Sequence, residues 1–217
     1  MARADVVLLG CADISRDAYA LRMHDSRMGH LALKQAFVDF SGGTIGRDAI
    51  LVAHHPSGAP YVKGSDVYGS LAHTKGVGIG AVSVGPIGVD VEYAKDRVYA
   101  QQLLAYTATK HEVDEVASRM ALPLQDLVAY IWTVKESVRK LLADARPYHP
   151  KEFFIRMEDP GVCTVTMCTH RALWRVRSFQ KERFWFSVAQ EYAPDIVCPS
   201  AVWRIADGRK IRNNARR

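Results

Sequence analysis

The sequence has few features of a secreted, membrane-spanning or repetitive protein. Its four cysteines are scattered and form no C-x-x-C pair, so we expect neither a disulfide framework nor a zinc site. Apolar runs such as 77–87 are interrupted by glycine and are too short to span a bilayer. The first nine residues include an acid and only a brief apolar stretch, which is not typical of a secretory signal. We therefore expect a cytoplasmic protein with reduced thiols.

Low-complexity segments and short-period repeats are also missing, and the remaining composition is that of a globular protein. Hydrophobic residues make up 48% and charged residues 24% of the 217 positions, enough for one large domain or two small ones. The net charge of +6 favours an acidic partner, which is a nucleic acid, an anionic cofactor or an acidic protein. Part of this excess lies in 204–217, whose low apolar content predicts a solvated basic tail.

The hydrophobic patterns predict strands and a helix first, then strands, then helices, then strands. The first helix is predicted at 26–40 with Ser26 as its N-cap. Thr109 followed by Glu112 has the capping-box pattern. Further helices are predicted at 98–106, 110–120 and 124–142. Strands are predicted at 6–9, 49–53, 69–73, 77–84, 87–91, 152–157, 162–169, 173–179 and 184–190. This order indicates an α+β fold with antiparallel sheets.

Two carboxylates lie two positions apart in the string GVDVE at 88–92. In the strand predicted here Asp90 and Glu92 face the same side, roughly 6–7 Å apart, while Val89 and Val91 face the core. Such a pair suits magnesium, which binds one or two carboxylates together with phosphate oxygens and water. The alternative is an exposed strand face that carries two acids, and this pattern alone does not decide between them.

A second string, WTVKESVRK at 132–140, places Trp132, Glu136 and Lys140 on one helical stripe. A Glu–Lys pair four residues apart is also a common surface stabiliser. Because a large aromatic is usually buried, we expect Trp132 to draw the stripe inward, where a Glu and a Lys need a charge partner or a ligand. Lys135 and Arg139, on the adjoining stripe, are expected to add positive charge.

The third string is GSLAHTKG at 69–76, where a predicted strand meets a tight turn. The ring of His73, the ammonium of Lys75 and the backbone around Thr74 are suitable contacts for a phosphate. The alternative is a histidine with a structural role only.

Together these strings resemble the 4'-phosphopantetheinyl transferase superfamily, in particular its larger, monomeric type built from two halves. That family carries G-[IV]-D-[IV]-E in a strand and W-[ST]-x-K-E-[SA]-x-x-K in a helix, at a separation similar to the one here. Upstream it has a G-K-P loop and an S-H-S-like turn, for which 58–60 and 72–74 are the counterparts. Arg27 and the helix after it are similar to the family's early helical segment, so the resemblance covers roughly 22–190.

The resemblance implies two similar α+β halves in a pseudo-twofold arrangement, each a small antiparallel sheet packed with helices. The N-terminal half, 1–85, would contribute contacts to coenzyme A phosphates. The C-terminal half, 86–192, would hold the metal site and the second motif, and 193–217 would be the basic tail.

The resemblance also implies transfer of the 4'-phosphopantetheine arm of coenzyme A to a serine of an apo acyl or peptidyl carrier protein, with release of 3',5'-ADP. Asp90, Glu92 and Glu136 would be the ligands of Mg²⁺ or Mn²⁺. Glu136 would be the general base, with Glu92 as its rival. Lys140 would contact a phosphate oxygen and stabilise the leaving group. The positive charge would attract the acidic carrier.

At the cofactor, the resemblance implies that His73 binds the nucleotide-phosphate end of coenzyme A. The chain departs from the family at two nearby positions, where Ala59 replaces the lysine of G-K-P and Ala72 replaces the serine before the histidine. Both family residues touch coenzyme A phosphates. The expected substitutes for these contacts are Lys63, Lys75 and Arg27, with Thr74 in the same turn.

Three alternatives stay open. A nucleic-acid-binding protein fits the charge, although the basic residues are not interleaved with aromatics and no groove-reading motif is present. A relative that binds coenzyme A or a carrier without activity fits Ala59 and Ala72, although it would not need all the charged groups of both motifs. A magnesium-dependent phosphodiesterase is the enzymatic alternative. We expect neither nucleic acid nor a membrane as the partner.

Overall fold

The computed structural model describes residues 18–143, 146–167, 169–192 and 201–207. The strand predicted at 6–9 lies outside these residues. The described helices are α1 (Ala18–Phe40), α2 (Arg97–Thr107), α3 (Lys110–Arg119) and α4 (Leu124–Leu142). The described strands are β1 (Val52–His54), β2 (Pro60–Val62), β3 (Tyr68–Thr74), β4 (Val77–Ser83), β5 (Ile87–Tyr93), β6 (Phe153–Asp159), β7 (Val162–Met167), β8 (His170–Lys181), β9 (Phe184–Glu191) and β10 (Ala201–Asp207).

All the sheets are antiparallel, which confirms the predicted α+β class. β1 pairs with β2, a three-stranded sheet has the order β10-β4-β3, and a five-stranded sheet has the order β5-β9-β8-β7-β6. Helices α2, α3 and α4 are confirmed within one residue at each end. The capping box at the start of α3 is also present, since the Thr109 hydroxyl accepts from the backbone N–H of Glu112 and the Glu112 carboxylate accepts from that of Thr109.

The first helix starts earlier than predicted. Because α1 spans Ala18–Phe40, Ser26 lies inside the helix, and its proposed role as N-cap is wrong. The residues before it contain alanine, leucine, arginine and methionine, which are good helix formers, and no proline or glycine stops the helix there.

Helix α1 packs directly on the three-stranded sheet because β4 carries glycines where the helix crosses it. A Cβ added at Gly78 would overlap the backbone of Met28, and one at Gly80 would overlap the backbone of Leu33. Only glycine allows this close approach. It fixes the height of α1 over the sheet and therefore over the hairpin that carries His73.

The predicted solvated tail is wrong for residues 204–207, which belong to β10. This strand pairs with β4 along its whole length, and Ile205 and Ala206 are only 2% and 1% exposed. Arg204 Nε also lies 2.6 Å from Oδ2 of Asp39 on α1. The apolar and β-branched residues of this short segment are enough to bury it, although the more polar residues after it lower the average hydropathy of the region.

The five-stranded sheet contributes to two of the apolar layers that hold the fold together. One lies between the five-stranded sheet and helices α3 and α4. The other is shared by the two larger sheets and joins residues such as Ile79 and Ile205 to Val89 and Phe186. The sheets contain three and five strands, and the pseudo-twofold relation between halves stays a prediction. Within the described chain, no helix is both long and apolar enough to cross a membrane.

Candidate active site

The two motifs meet where α4 crosses β5. A Cβ added at Gly88 would overlap the carbonyl oxygen of Ser137 and the backbone nitrogen of Leu141, so the helix can lie this close only on a glycine. Thr133 holds the same helix to the next strand, because its hydroxyl accepts a 2.8 Å hydrogen bond from Ser187 on β9. The motif glycine and threonine therefore fix α4 against the strand that carries the acids.

Asp90 is the centre of the site. It is 6% exposed, and its Oδ1 accepts a 2.7 Å hydrogen bond from the ammonium of Lys140 on α4. Burial, with smaller effects of Glu136 and Glu92, raises the pKa of Asp90 to about 6 against the opposing effect of Lys140. Asp90 is thus in contact with Lys140 and within electrostatic range of the other two acids of the motifs.

Each of the other two acids is also paired with a cation. Oε2 of Glu136 accepts from Nε and Nη2 of Arg139, at 2.9 and 2.8 Å. Oε1 of Glu92 accepts from the backbone N–H of Tyr93 at 2.9 Å and lies 3.5 Å from the ammonium of Lys95. The acids are thus neutralised one by one by residues of the same chain.

This arrangement bears on the predicted metal ligands. Over the described ranges, no three His, Cys, Asp or Glu side chains are gathered as a ready cluster for a metal ion. The chemistry of the donor set nevertheless fits a hard cation, since it consists of carboxylates and, among the residues that the structure describes, the buried Asp90 has only the ammonium of Lys140 as a counter-charge in contact. The set of Asp90, Glu92 and Glu136 stays a prediction.

Helix α4 is rotated differently from what the sequence predicts. Trp132, Glu136 and Lys140 are all half-buried, so their stripe lies at the edge of the packed face. Lys135 is the buried cation: it is 1% exposed and its ammonium lies 2.7 Å from Oε1 of Glu112. The expectation that Lys135 adds positive charge to the site is wrong, because its charge is used to join α3 to α4.

A cleft of about 180 Å³ lies between Lys140, the ion-pair partner of Asp90, and the N-terminal part of the chain. On one side it is lined by Arg139 and Lys140, and on the other by β1, the following loop and β3. The backbone N–H of Val89 donates a 3.0 Å hydrogen bond to the hydroxyl of Ser70, which fixes β3 to β5 at the floor. Ala59 lines the same cleft, so the region of the G-K-P counterpart does face Lys140.

Two of the predicted cofactor contacts, His73 and Lys75, lie near charged groups of the site. His73 is exposed on β3, and its pKa is lowered by partial desolvation, with Lys140 and His30 lowering it further and Asp25 opposing them. The ammonium of Lys75 lies 3.9 Å from the ring centroid of Tyr93, beside the acidic centre.

The other predicted contacts are less closely tied to it. Arg27 is exposed on α1, Lys63 is exposed after β2, and Thr74 is half-buried at the end of β3, where it pairs with Val77 of β4. Neither these three nor His73 and Lys75 are among the residues that line the cleft. Their roles toward a cofactor stay predictions.

A further histidine lines this cleft, and a second one packs against it. His54, at the end of β1, lines the cleft directly. Its ring meets that of His30 on α1 edge to face, with the centroids 5.5 Å apart. Sequence reasoning overlooked both, although the adjacent pair at 54 and 55 before Pro56 is the local signal that could have drawn attention to the loop.

Comparison with protein families identifies the chain. The model of the 4'-phosphopantetheinyl transferase superfamily matches residues 86–197, a little over half of the chain, and this span includes both β5 and α4. The chain belongs to this superfamily. Comparison with curated protein sequences gives no match.

Among solved structures, the crystal structure of Helicobacter pylori holo-[acyl-carrier-protein] synthase in complex with coenzyme A is similar to this chain. The match has 12% sequence identity and a TM-score of 0.40, and it covers 49% of this chain and 99% of the other.

Proposed function

We propose that the protein transfers the 4'-phosphopantetheine arm of coenzyme A to a serine of an apo acyl or peptidyl carrier protein and releases 3',5'-ADP. The observation that carries this proposal is the 2.7 Å contact between Lys140 and Asp90, which joins the two motifs of the superfamily beside a cleft that Lys140 lines. A cation beside a group of carboxylates, open to one side, suits a phosphate bound together with a divalent metal.

Asp90, Glu92 and Glu136 are the residues that would hold Mg²⁺ or Mn²⁺. When bound, the metal would neutralise charge on the pyrophosphate of coenzyme A and on the leaving group. The side chains that now pair with these acids, Lys140 and Arg139, also line the cleft. They are therefore available to turn from a carboxylate to a phosphate oxygen when the cofactor enters.

Glu136 is the proposed general base. It is half-buried at the edge of α4, and its Oε2 is held by Arg139, so the carboxylate has a fixed position. It takes the proton of the carrier serine as the serine oxygen attacks the phosphorus that bears the pantetheine arm. The bond from this phosphorus to the bridging oxygen breaks, and Lys140 stabilises the charge that develops on 3',5'-ADP. Glu92 is the second candidate for the base.

The proposed partner is an acidic carrier protein. The net charge of +6 would increase its rate of encounter at low ionic strength. Arg139 is 44% exposed by side chain at the rim of the cleft, which places one of these charges beside the proposed base.

A mass measurement tests the proposal. The protein is incubated with MgCl₂, coenzyme A and a panel of unrelated apo carrier proteins, and each carrier is weighed by mass spectrometry. We expect at least one carrier to gain a single phosphopantetheinyl group, with equimolar 3',5'-ADP. A panel that stays unmodified would contradict the transferase, and binding of coenzyme A without transfer would favour an inactive relative.

Glu136→Gln tests the base, because it keeps the size of the side chain and removes the proton acceptor. We expect transfer to fall by at least about a hundredfold with the unfolding midpoint unchanged. Glu158→Gln is the matched control, since Glu158 also pairs with an arginine, Arg175, at 2.8 Å, but does so on strands β6 and β8. Unchanged turnover in Glu136→Gln would assign the base to another group.

A further inference from the structure

The wall of the cleft opposite Lys140 carries one titratable side chain. This wall is formed by His54 at the end of β1 and by the loop 57–60, where Ala59 contributes no polar group. His54 is exposed, so a ligand in the cleft can reach its ring without any rearrangement of the fold.

The ring of His54 packs against a residue of α1. Its ring lies edge to face against that of His30, with 5.5 Å between the centroids. Nδ1 of His30 lies 2.9 Å from the carbonyl oxygen of Ser26 and donates to it. This contact fixes the ring of His30, whose other nitrogen accepts in the neutral imidazole and donates in the imidazolium.

The position of His30 is itself set by close packing. A Cβ added at Gly29 would come within 3.4 Å of the ring of His73 and 3.2 Å of the carbonyl oxygen of Ala72. The small residue lets α1 lie against the end of β3. Three imidazoles from α1, β1 and β3 thereby lie near one another, and His54 is the one that lines the cleft.

The charges around His54 favour an anion. The pKa of His54 is lowered by burial and by His30, and no carboxylate of the described chain is among its causes. His73 is influenced by both His30 and Lys140, so these groups act on one another. An anion in the cleft would accept a hydrogen bond from the ring of His54 once this ring is protonated.

The anionic groups of coenzyme A can then be matched to the two sides of the cleft, one with Lys140 and one with His54. Its anionic groups are the pyrophosphate and the phosphomonoester on the 3'-oxygen of the ribose. The acids that would hold a metal, with Lys140, suit the pyrophosphate. On the basis of the proposed function, we infer that His54, supported by His30, binds the 3'-phosphate of coenzyme A.

A comparison of two cofactors tests this inference. The dissociation constants of coenzyme A and of 3'-dephospho-coenzyme A are measured by calorimetry, with MgCl₂, for the wild-type protein and for His54→Gln. For coenzyme A we expect binding to weaken by about tenfold or more, as for loss of a hydrogen bond to a charged group. For the dephospho form, which lacks the proposed partner, we expect a change of less than about twofold. His111→Ala, on the exposed surface of α3, is the control.

A second variant tests whether the 3'-phosphate lies at this wall of the cleft. Ala59→Lys places an ammonium on the same wall of the cleft, and in the His54→Gln background we expect it to restore preferential binding of coenzyme A. Equal weakening of both cofactors by His54→Gln would overturn the inference, as would unchanged binding of both. If the wild-type protein transfers phosphopantetheine and His54→Gln binds coenzyme A as tightly as the wild type, the inference about His54 is wrong and the proposed function still holds. If the wild-type protein binds no coenzyme A, the proposed function itself is wrong.

Discussion

The Cα of Gly88 lies so close to the carbonyl oxygen of Ser137 that no side chain fits between β5 and α4. Gly88 opens the acidic motif and Ser137 follows the acid of the helical motif, so one backbone contact sets the relative position of both. From it, Asp90 and Lys140 come within 2.7 Å of each other. The packing at Gly88 and the ion pair of Asp90 with Lys140 together bridge the separation of the motifs along the sequence.

Gly88→Ala is therefore expected to damage both the fold and the site. The added methyl group must push α4 away from β5, and overpacking of this kind costs about 1–3 kcal/mol or more. Urea unfolding measures the loss of stability, and the loss of coenzyme A binding reports the separation of Asp90 from Lys140.

Gly46→Ala is the matched control for this experiment. Gly46 has an ordinary φ of −68°, and a Cβ there meets nothing within 4 Å, so its unfolding free energy should change by less than about 0.5 kcal/mol. A Gly88→Ala protein as stable as this control would contradict the role assigned to the close contact.

Local signals predicted much of this fold. The capping box at Thr109 and the bounds of α4 depend on neighbours in the chain, and both are confirmed. Ser26 as N-cap was wrong because helix formers before it extend α1. The strand at 201–207 depends on the distant edge of β4, and the burial of Lys135 depends on Glu112 in another helix. Such partners are not visible in a local pattern.

The buried pair of Lys135 and Glu112 makes Lys135→Met strongly destabilising. The carboxylate of Glu112 would stay 1% exposed without its cation, and removal of one partner of a buried pair costs about 3–5 kcal/mol. The midpoint of urea unfolding should fall accordingly.

Lys110→Met provides the comparison, because Lys110 forms a carboxylate pair with Asp114 on the same helix α3 but is 87% exposed by side chain. Its removal should change the unfolding free energy by less than about 1 kcal/mol. Similar losses in the two variants would mean that Glu112 is solvated or protonated in the folded protein.

Asp90→Asn tests the metal ligands proposed above. The amide keeps the shape of the side chain and can still accept from Lys140, but it binds a divalent cation less well because it has no charge. We expect the MgCl₂ concentration for half-maximal transfer to rise by about tenfold or more. Asp48→Asn, an exposed acid in the 3-10 turn at Arg47–Ala49, should leave the titration unchanged. An unaltered titration in Asp90→Asn would remove Asp90 from the ligand set.

The stability of a truncated chain should depend on whether the chain keeps β10. A chain that ends at Asp207 keeps β10, its seven partners on β4 and the contact of Arg204 with Asp39. A chain that ends at residue 200 uncovers the edge of β4 and removes Ile205 from the layer between the two larger sheets.

We expect the first truncation to unfold at the same urea concentration as the full chain. The second should lose at least the roughly 2–5 kcal/mol that deletion of one buried isoleucine side chain costs. Ile205→Ala in the full chain should reproduce part of this loss. Because α1 rests on the same sheet, the second truncation should also weaken coenzyme A binding through His30 and His54. Equal stability of the two truncated chains would mean that β10 adds nothing to the stability of the fold.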